Sequence, residues 1–305
     1  MTNCATGASE NQWAVALFAA ILALLLWSGT AIANKIAVGY MDALTAGVLR
    51  SMLAGLCALA IAFLLRLPFP QSGRDRSMLI ISGVSSFAIW PMLLSIGIEQ
   101  TTVGHAALIM AMIPVFTVLI SAVVHRRLPA PGWWLGAVIA VSATIILITS
   151  RGISLELFTD GSSIVGDLII FTGCVSCAAG YVAGGKLSPK IGTAATTFWG
   201  LSIALLILIP VFSSIASRTV WLEVPVQGWL AIAWMTFLSS LAGYALWFFA
   251  LGRGGIDRIG SLQLMMPVIT LVVAALMLGE HLTVFLITIC TAIMAGTFLA
   301  QRYAR

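Results

Sequence analysis

The sequence predicts an all-α integral membrane protein in which ten transmembrane helices form two inverted five-helix repeats around a central cavity. Three observations favour this fold. The 305 residues are 61% hydrophobic and only 8% charged, far from the averages of soluble domains. The apolar runs are long enough for a helix to cross the hydrocarbon core of a bilayer. One stretch of sequence occurs twice, with different charge on the flanking loops.

Ten apolar runs, each of about 20 residues, follow one another along the chain. The first run is too long for the core of a signal peptide, so we expect it to remain as a span. No segment between the runs is long enough to fold alone, which excludes soluble catalytic and nucleic-acid-binding domains. The predicted spans are 13–34, 43–65, 77–98, 102–124, 132–150, 164–185, 193–214, 227–250, 259–279 and 282–301.

The duplicated stretch occupies residues 85–128 and 239–282. SSFAIWPMLL aligns with SSLAGYALWF; beyond a one-residue gap AALIMAMIPVFTVLISAVV aligns with GSLQLMMPVITLVVAALML, so Pro114 corresponds to Pro267. Because each half has an odd number of spans, the second half must enter the membrane upside down relative to the first. The loop charges agree, since HRRL after the first copy is basic and GEHL after the second has no Lys or Arg. Inverted halves are a common architecture for alternating access, with the substrate site near the midplane.

Lysine and arginine orient the chain. With the N-terminus in the cytoplasm, eleven of the Lys and Arg residues in the connections and at the C-terminus fall on the cytoplasmic side, and Arg151 and Arg218 fall on the other. Lys35 and Arg50 lie in or at the end of spans and are not counted. This bias predicts that both termini are cytoplasmic. The eleven are Arg66, Arg74, Arg76, Arg126, Arg127, Lys186, Lys190, Arg253, Arg258, Arg302 and Arg305.

The order of motifs resembles the EamA-type drug/metabolite transporter superfamily. LLWSGTAIANKIA closes the first span, TAGVLRSMLAGL lies in the second, and HAALIMAMIPVFTVLISAVVHRRLPAPGWWLGAVIAVSATIIL crosses the fourth and fifth. The second half follows with GDLIIFTGCVSCAAGYVAGGKL and residues 239–301. The resemblance covers nearly the whole chain. It implies ten helices, a central cavity and substrates that range over amino acids, other metabolites and drugs.

The expected organisation follows from the spans and this resemblance. A short cytoplasmic N-terminus (1–12) precedes a first EamA-like repeat (13–150). A periplasmic connection (151–162) leads to the second, inverted repeat (163–301), and a cytoplasmic C-terminus (302–305) ends the chain. The expected location is a bacterial inner (plasma) membrane, which the protein crosses many times.

Missing charges narrow the substrate class. The first span has no Asp or Glu, unlike small multidrug exporters, and only Arg50 is a deep cation, which disfavours sugar-phosphate and nucleotide-sugar carriers. The closest resemblance is to the YddG kind of aromatic and neutral amino-acid exporters. It implies a secondary transporter for small neutral, apolar or aromatic amino acids. Other metabolites or drugs are the alternative.

A membrane-embedded enzyme is the alternative from another class. It is disfavoured because we find no nucleophile with a base and no metal-ligand set in the sequence. We therefore expect no catalytic residue, no metal and no cofactor. The expected partners are a small-molecule substrate and the lipid bilayer, without nucleic acid or nucleotide. The protein is expected to function as a monomer, with an oligomer left open.

Helical spacing selects candidate substrate-binding residues. Ser86 and Trp90 share a face of the third span, and Ser240, Tyr244 and Trp247 occupy the equivalent face of the eighth. Ordinary packing, or an interfacial position for Trp90, is the competing interpretation. The other candidates are Ser28, Asn34, His105, Met112, Tyr181, Gln263 and Met266.

Three further residues are predicted to have structural or charge-pairing roles. Arg50 needs a partner, because a charge inside a membrane is costly. A substrate carboxylate is one option, but a structural bond to helix carbonyls or a nearby acid is favoured, since the resemblance places Arg here whatever the substrate. Pro114 and Pro267 are expected chiefly to bend their helices. Asp167 and Glu280 are expected near the outer ends of their spans, in reach of water.

Overall fold

The computed structural model describes the backbone of residues 3–126, 128–149, 163–254, 262 and 265–303. These residues contain helices and no strand, which confirms the all-α class. Eight of the described helices are long and apolar enough to cross a membrane, and Met266–Leu278 and Val284–Ala300 are shorter apolar helices. Eight of the predicted spans thus have helices of spanning length. The tenth predicted span, 282–301, corresponds to the helix Val284–Arg302, and the described helix of the ninth is Met266–Leu278.

The main helices of the described residues are labelled in chain order. The first begins ten residues before the predicted run; the predicted connection 151–162 and part of the ninth run lie outside the described residues. The helices are α1 (Asn3–Val38), α2 (Ala43–Leu64), α3 (Gly73–Glu99), α4 (Val103–His125), α5 (Pro131–Thr149), α6 (Ile164–Ile191), α7 (Thr193–Ile215), α8 (Val226–Ala233, Trp234–Gly243 and Tyr244–Gly254 in succession), α9 (Met266–Leu278) and α10 (Val284–Arg302).

Side-chain caps fix where several helices begin. The Asp42 carboxylate accepts a hydrogen bond from the Thr45 amide at 2.8 Å. The Thr102 hydroxyl accepts one from the His105 amide at 3.2 Å. Each bond satisfies an amide that has no partner inside its own helix. These caps place the starts of α2 and α4 at the end of the bundle where α1 and α3 finish.

Two helices contain a π-helical segment, at equivalent places in the two halves. The segments are Val84–Ile89 in α3 and Trp234–Gly243 in α8. The prolines also match: α4 is interrupted at Ala111 and Met112 just before Pro114, and α9 begins beside Pro267. Proline suits the first turn of a helix, where its missing N–H has no partner to lose.

Helices of one half pack on helices of the other. The contacting pairs include α2 with α7, α5 with α10, α1 with α8, α3 with α6, α1 with α9 and α4 with α6. Exchanging α1–α5 with α6–α10 reproduces this set of pairs.

Small residues bring two of these helices close together. A Cβ added to Gly296 of α10 would lie 2.6 Å from the Ala140 amide of α5. Such close approach allows extensive backbone packing inside a membrane.

The paired helices α2 and α7 run antiparallel. Near the end of α2, the Phe63 ring lies 5.3 Å from the Trp199 ring of early α7. Near its start, the Thr45 hydroxyl donates to the Ile215 carbonyl at the end of α7, at 3.5 Å. The two helices of this pair therefore point in opposite directions.

Charge separates the two ends of the bundle. One end, called the basic end, has an Lys190–Asp75 ion pair of 2.5 Å and carries Arg66, Arg74, Arg76, Arg126 and Arg302. The opposite end, called the acidic end, carries Asp42, Glu99, Asp167 and Glu280, together with the cations Lys35 and Arg218.

Candidate functional site

A cavity of about 760 Å³ lies between the two halves, within the size range of small-molecule sites. Residues of α1–α4 and α6–α10 line it. The exposed Arg302 contributes to the lining at the basic end. Toward the acidic end the lining consists of buried Ala31, Leu94 and Ala107, backed by the fully buried Ile98 and Val103. The cavity is therefore open at the basic end and closed at the acidic end.

The two π segments supply three serines and one phenylalanine to the cavity wall. Ser86 and Phe87 come from α3, and Ser239 and Ser240 come from α8. The Ser240 hydroxyl donates to the Met235 carbonyl, five residues earlier, at 2.8 Å. The Ser86 hydroxyl donates to the Cys177 carbonyl at 3.3 Å. Single-turn π segments occur frequently at functional sites.

Aromatic rings from both halves form one wall. Trp27 of α1 lies 5.3 Å from Tyr244 of α8, edge to face. Tyr244 in turn lies 5.8 Å from Phe87 of α3. The Trp27 indole donates to the Ser239 carbonyl at 3.0 Å, and the hydroxyls of Thr30 and Ser239 are hydrogen-bonded at 2.7 Å. These bonds fix the orientation of the wall, since Trp27 and Thr30 share one helix face.

Arg50 places a cation deep in the cavity lining. Its side chain is only 7% exposed, and its Nη1 atom lies 3.5 Å from the Met235 sulfur. Within the described part of the chain, neither a carboxylate nor a carbonyl oxygen bonds to the guanidinium. The described contacts of Arg50 thus do not include the favoured structural bond to helix carbonyls or to a nearby acid.

Nine of the predicted residues lie on the cavity wall. Six of them form equivalent pairs in the duplicated sequence, namely Ser86 with Ser240, Trp90 with Tyr244 and Pro114 with Pro267. Contact with the cavity does not by itself test binding, so their role in binding stays a prediction. The nine are Ser86, Trp90, Tyr181, Ser240, Tyr244, Met266, Arg50, Pro114 and Pro267.

Ser28 and Asn34 lie behind the cavity wall. The Ser28 hydroxyl donates to the Met266 carbonyl at 3.5 Å, which links α1 to α9. The Asn34 carbonyl oxygen accepts from the Ser95 hydroxyl at 2.9 Å, which links α1 to α3. Both side chains are buried. Their side-chain oxygens join helices, whereas the Asn34 amide nitrogen is buried without a hydrogen-bond partner among the described residues. Neither residue is among those that line the cavity.

His105 lies toward the acidic end and also misses the cavity. Its Nδ1 atom is 3.0 Å from a carboxylate oxygen of Asp167, whose other oxygen accepts from the Thr101 hydroxyl at 2.6 Å. Asp167 is fully buried, so the expectation that water reaches it was wrong. The pair ties α4 to α6.

Met112 and Trp247 pack behind the wall. Met112 is fully buried in a cluster with Ile109 and Val115. Trp247 is 7% exposed and lies 5.3 Å from Trp27, which it supports from behind. Both were candidate substrate-binding residues, and neither is among the residues that line the cavity. Gln263 lies outside the described residues.

Several lining residues were missed by the sequence reasoning. Trp27, Thr30 and Ala31 line the cavity together, and their spacing of three and four residues matches one helix face. Met294, Thr297 and Phe298 of α10 have the same spacing and also line it. This periodicity was present in the sequence, but it marks a face without saying whether that face meets a cavity or another helix.

Two contacts close the acidic end. The Glu280 carboxylate accepts from the Val103 amide at 2.7 Å and from the Gly104 amide at 2.9 Å, at the start of α4. A carboxylate is stabilised there by the unpaired amides and the helix dipole. The Lys35 ammonium donates to the carbonyls of Ile98 and Thr101 at 2.8 and 2.7 Å. These bonds join α1, the α3–α4 turn and the segment after α9.

The sequence profile of the EamA-like transporter family matches this chain twice, over residues 14–149 and 164–301. The chain therefore belongs to the EamA-like transporter family, a family of multi-pass membrane proteins.

Named relatives are also transporters. The uncharacterized transporter YdeK of Bacillus subtilis (strain 168) is 28% identical over 93% of this chain and 96% of its own. A probable amino-acid metabolite efflux pump of Salmonella typhimurium is 25% identical over 92% and 93%. A probable terminal-alkyne amino-acid exporter of Streptantibioticus cattleyicolor is 22% identical over 87% and 86%. A solved crystal structure at 20% identity shares the fold, with a TM-score of 0.62 over 95% of this chain and 97% of its own.

Proposed function

We propose that the protein exports small neutral amino acids with apolar or aromatic side chains across a bacterial inner membrane by alternating access. The observation that carries this proposal is the cavity of about 760 Å³ between the halves, closed at the acidic end and walled by aromatic and thioether side chains. Aromatic and methionine side chains suit apolar ligands of varied shape. Two of the named relatives are described as exporting amino acids or their metabolites.

The mechanism that fits this cavity is rocking of two inverted five-helix repeats around it. Support comes from the antiparallel packing of α2 on α7, from the exchange symmetry of the helix contacts and from the two family matches. The proposed boundaries are 13–150 and 163–301, with 151–162 as the periplasmic connection. Positive charge favours the cytoplasm for the basic end and both termini. The described conformation would then be open to the cytoplasm, ready to load a substrate for export.

Transport by purified protein in liposomes tests the function. Vesicles loaded with unlabelled leucine, phenylalanine or valine should take up the same labelled amino acid by exchange, above the level of protein-free vesicles. Absence of exchange for the whole panel would overturn the amino-acid proposal. Exchange of another metabolite or a drug in the same vesicles would establish the alternative substrate class.

Matched variants test whether the exchange uses this cavity. Phe87→Ala should reduce exchange at least several-fold, because Phe87 lines the cavity. Phe237→Ala removes the same side chain from α8 at a position that is 52% exposed and should leave exchange near wild type. Equal effects of the two changes would place the pathway elsewhere.

Orientation has its own test. A reporter that is active only in the cytoplasm should be active when it is fused after Arg305. In Tyr40→Cys, the new thiol replaces a side chain that is 47% exposed near the acidic end, and it should react with an impermeant maleimide added outside the cell. The reverse pattern would invert the proposed orientation and with it the direction of loading.

A further inference from the structure

Arg50 is the most costly group in the cavity to leave without a partner. It lies in α2, is 7% exposed, and belongs to a helix of spanning length. Charged side chains at membrane depth are expensive and usually pair with one another or with backbone carbonyls. A buried guanidinium without such a pair is therefore a functional signal.

The protein supplies only weak compensation for this charge. The nearest acceptor is the Met235 sulfur at 3.5 Å, a poor hydrogen-bond acceptor. The phenol of Tyr244 lies close enough to interact electrostatically with the guanidinium, but it is an uncharged group at neutral pH. Five N–H donors in a planar fork thus border a cavity in which no described lining residue is Asp or Glu.

We propose that Arg50 binds the carboxylate of the substrate, that this carboxylate is required for recognition, and that the substrate amine is dispensable. The substrates are then apolar monocarboxylates, with amino acids as one subset. This inference rests on the proposed transport function and deepens it. A planar guanidinium matches a carboxylate through two parallel hydrogen bonds.

The charge distribution around the cavity explains why the substrate carboxylate is required and why the substrate amine is dispensable. Arg50 is the deep cation, and the other lining cation among the described residues, Arg302, is exposed at the basic end. One buried positive charge is neutralised by one carboxylate, whereas a phosphate would add uncompensated charge. A substrate ammonium meets hydroxyls and the faces of Trp27 and Trp90, but no carboxylate of the described lining.

The shape of the cavity places the rest of the ligand. Ser51 follows Arg50 on α2 and also lines the cavity, so it adds a hydroxyl to the same part of the wall. Trp27, Phe87 and Met266 supply apolar wall. A ligand held by its carboxylate can therefore bury an aromatic or branched side chain against these residues, which favours apolar acids over polar ones.

Four ligands that share a phenylethyl group separate the two requirements. L-Phenylalanine has both charged groups, 3-phenylpropanoate lacks the amine, and 2-phenylethylamine lacks the carboxylate. 3-Phenylpropanamide has the shape of 3-phenylpropanoate without its charge. Binding of each to detergent-purified protein is measured by calorimetry and by the rise in unfolding temperature. We expect L-phenylalanine and 3-phenylpropanoate to bind with similar affinity, and the amide and the amine to bind at least about 10-fold more weakly.

Variants at Arg50 and Arg302 attribute the preference to one side chain. In Arg50→Gln, the ratio of carboxylate to amide affinity should fall to near unity, a loss of roughly 10- to 100-fold. Arg50→Lys keeps the charge but loses the fork, so the preference should be intermediate. Arg302→Gln should change the ratio less than about threefold, because its charge is exposed to solvent. The ratio compares two ligands on one protein, so it tolerates partial loss of folded material.

The outcomes are distinct from those of the transport assay. Equal binding of the carboxylate and the amide by the wild-type protein would overturn the inference even if Arg50→Gln fails to fold. An unchanged preference in Arg50→Gln, or an equal loss in Arg302→Gln, would also overturn it. If amino acids are exchanged in liposomes but no carboxylate preference exists, only this inference fails. If 3-phenylpropanoate binds through Arg50 and no amino acid is exchanged, only the proposed function fails.

Discussion

Trp27 and Tyr244 meet edge to face at 5.3 Å, and each comes from a different half of the molecule. Trp27 lies in the middle of α1, whereas Tyr244 begins the last segment of α8. The contact makes one wall of the cavity depend on the relative position of the halves. A movement of one half against the other therefore changes the shape of the wall that contacts the substrate.

Removing the indole should separate substrate binding from folding. Trp27→Ala is expected to lower exchange in liposomes at least about 10-fold, because it removes both the ring contact with Tyr244 and the bond to the Ser239 carbonyl. Trp229→Ala removes the same residue type from a site that is 42% exposed and should leave exchange near wild type. Comparable loss in both variants would indicate a general effect on assembly.

The carboxylate of Glu280 should hold the acidic end closed. Glu280→Gln weakens two bonds to the start of α4 and removes a charge that the helix dipole stabilises by about 0.3–1 kcal/mol. In a cysteine-free background, Leu94→Cys should then react faster with an impermeant maleimide added from the acidic side. Glu99→Gln is the matched control, because Glu99 is exposed at the same end. Similar labelling rates in both variants would contradict a closing role for Glu280.

Gly180 should tolerate no side chain. A Cβ there would collide with the Ser86 hydroxyl of α3, so Gly180→Ala forces α3 and α6 apart and should cost about 1–3 kcal/mol. Gly185, on the same helix, has no atom within 4 Å of an added Cβ. Gly185→Ala should therefore be neutral or slightly stabilising. Unfolding temperatures in detergent compare the two variants, and an equal fall would show that the α3–α6 contact is not the cause.

The buried Asp167 should contribute to stability. Asp167→Asn keeps the shape of the side chain but disrupts the bonds with Thr101 and His105, at an expected cost of about 1–3 kcal/mol. Asp75→Asn removes a partly exposed carboxylate at the basic end and should have little effect on the unfolding temperature. The proposal of a structural pair would be wrong if Asp167→Asn unfolded at the wild-type temperature while transport was lost.

Much of the fold could be predicted because hydrophobic run length and repetition are local properties of the sequence. The alignment of SSFAIWPMLL with SSLAGYALWF brought Ser86 and Trp90 into correspondence with Ser240 and Tyr244, and all four line the cavity. For the last span the predicted range 282–301 agrees with Val284–Arg302 to within two residues. The ninth predicted span lies partly outside the described residues.

Other features depend on contacts between distant residues and were not predictable from spacing. His105 and Asp167 are each unremarkable near a helix end, and only the packing of α4 on α6 brings them together. The π segments have no local sequence signature, because their hydrogen-bond register differs from that of an ordinary helix by one residue. That no carboxylate or carbonyl oxygen of the described residues bonds to the Arg50 side chain depends on the positions of all the neighbouring helices.

The π segment of α8 separates the length of this helix from the direction of its side chains. In Trp234–Gly243 the main-chain hydrogen bonds span one residue more than in an α-helix. Deleting one residue from this stretch would let α8 relax to a regular helix without turning the segment that begins at Tyr244, because the π segment already absorbs that residue. Deleting one residue from a regular α-helical segment has no such outlet and rotates everything beyond it by about 100°. The π segment should therefore tolerate a single deletion while Tyr244 keeps facing the cavity.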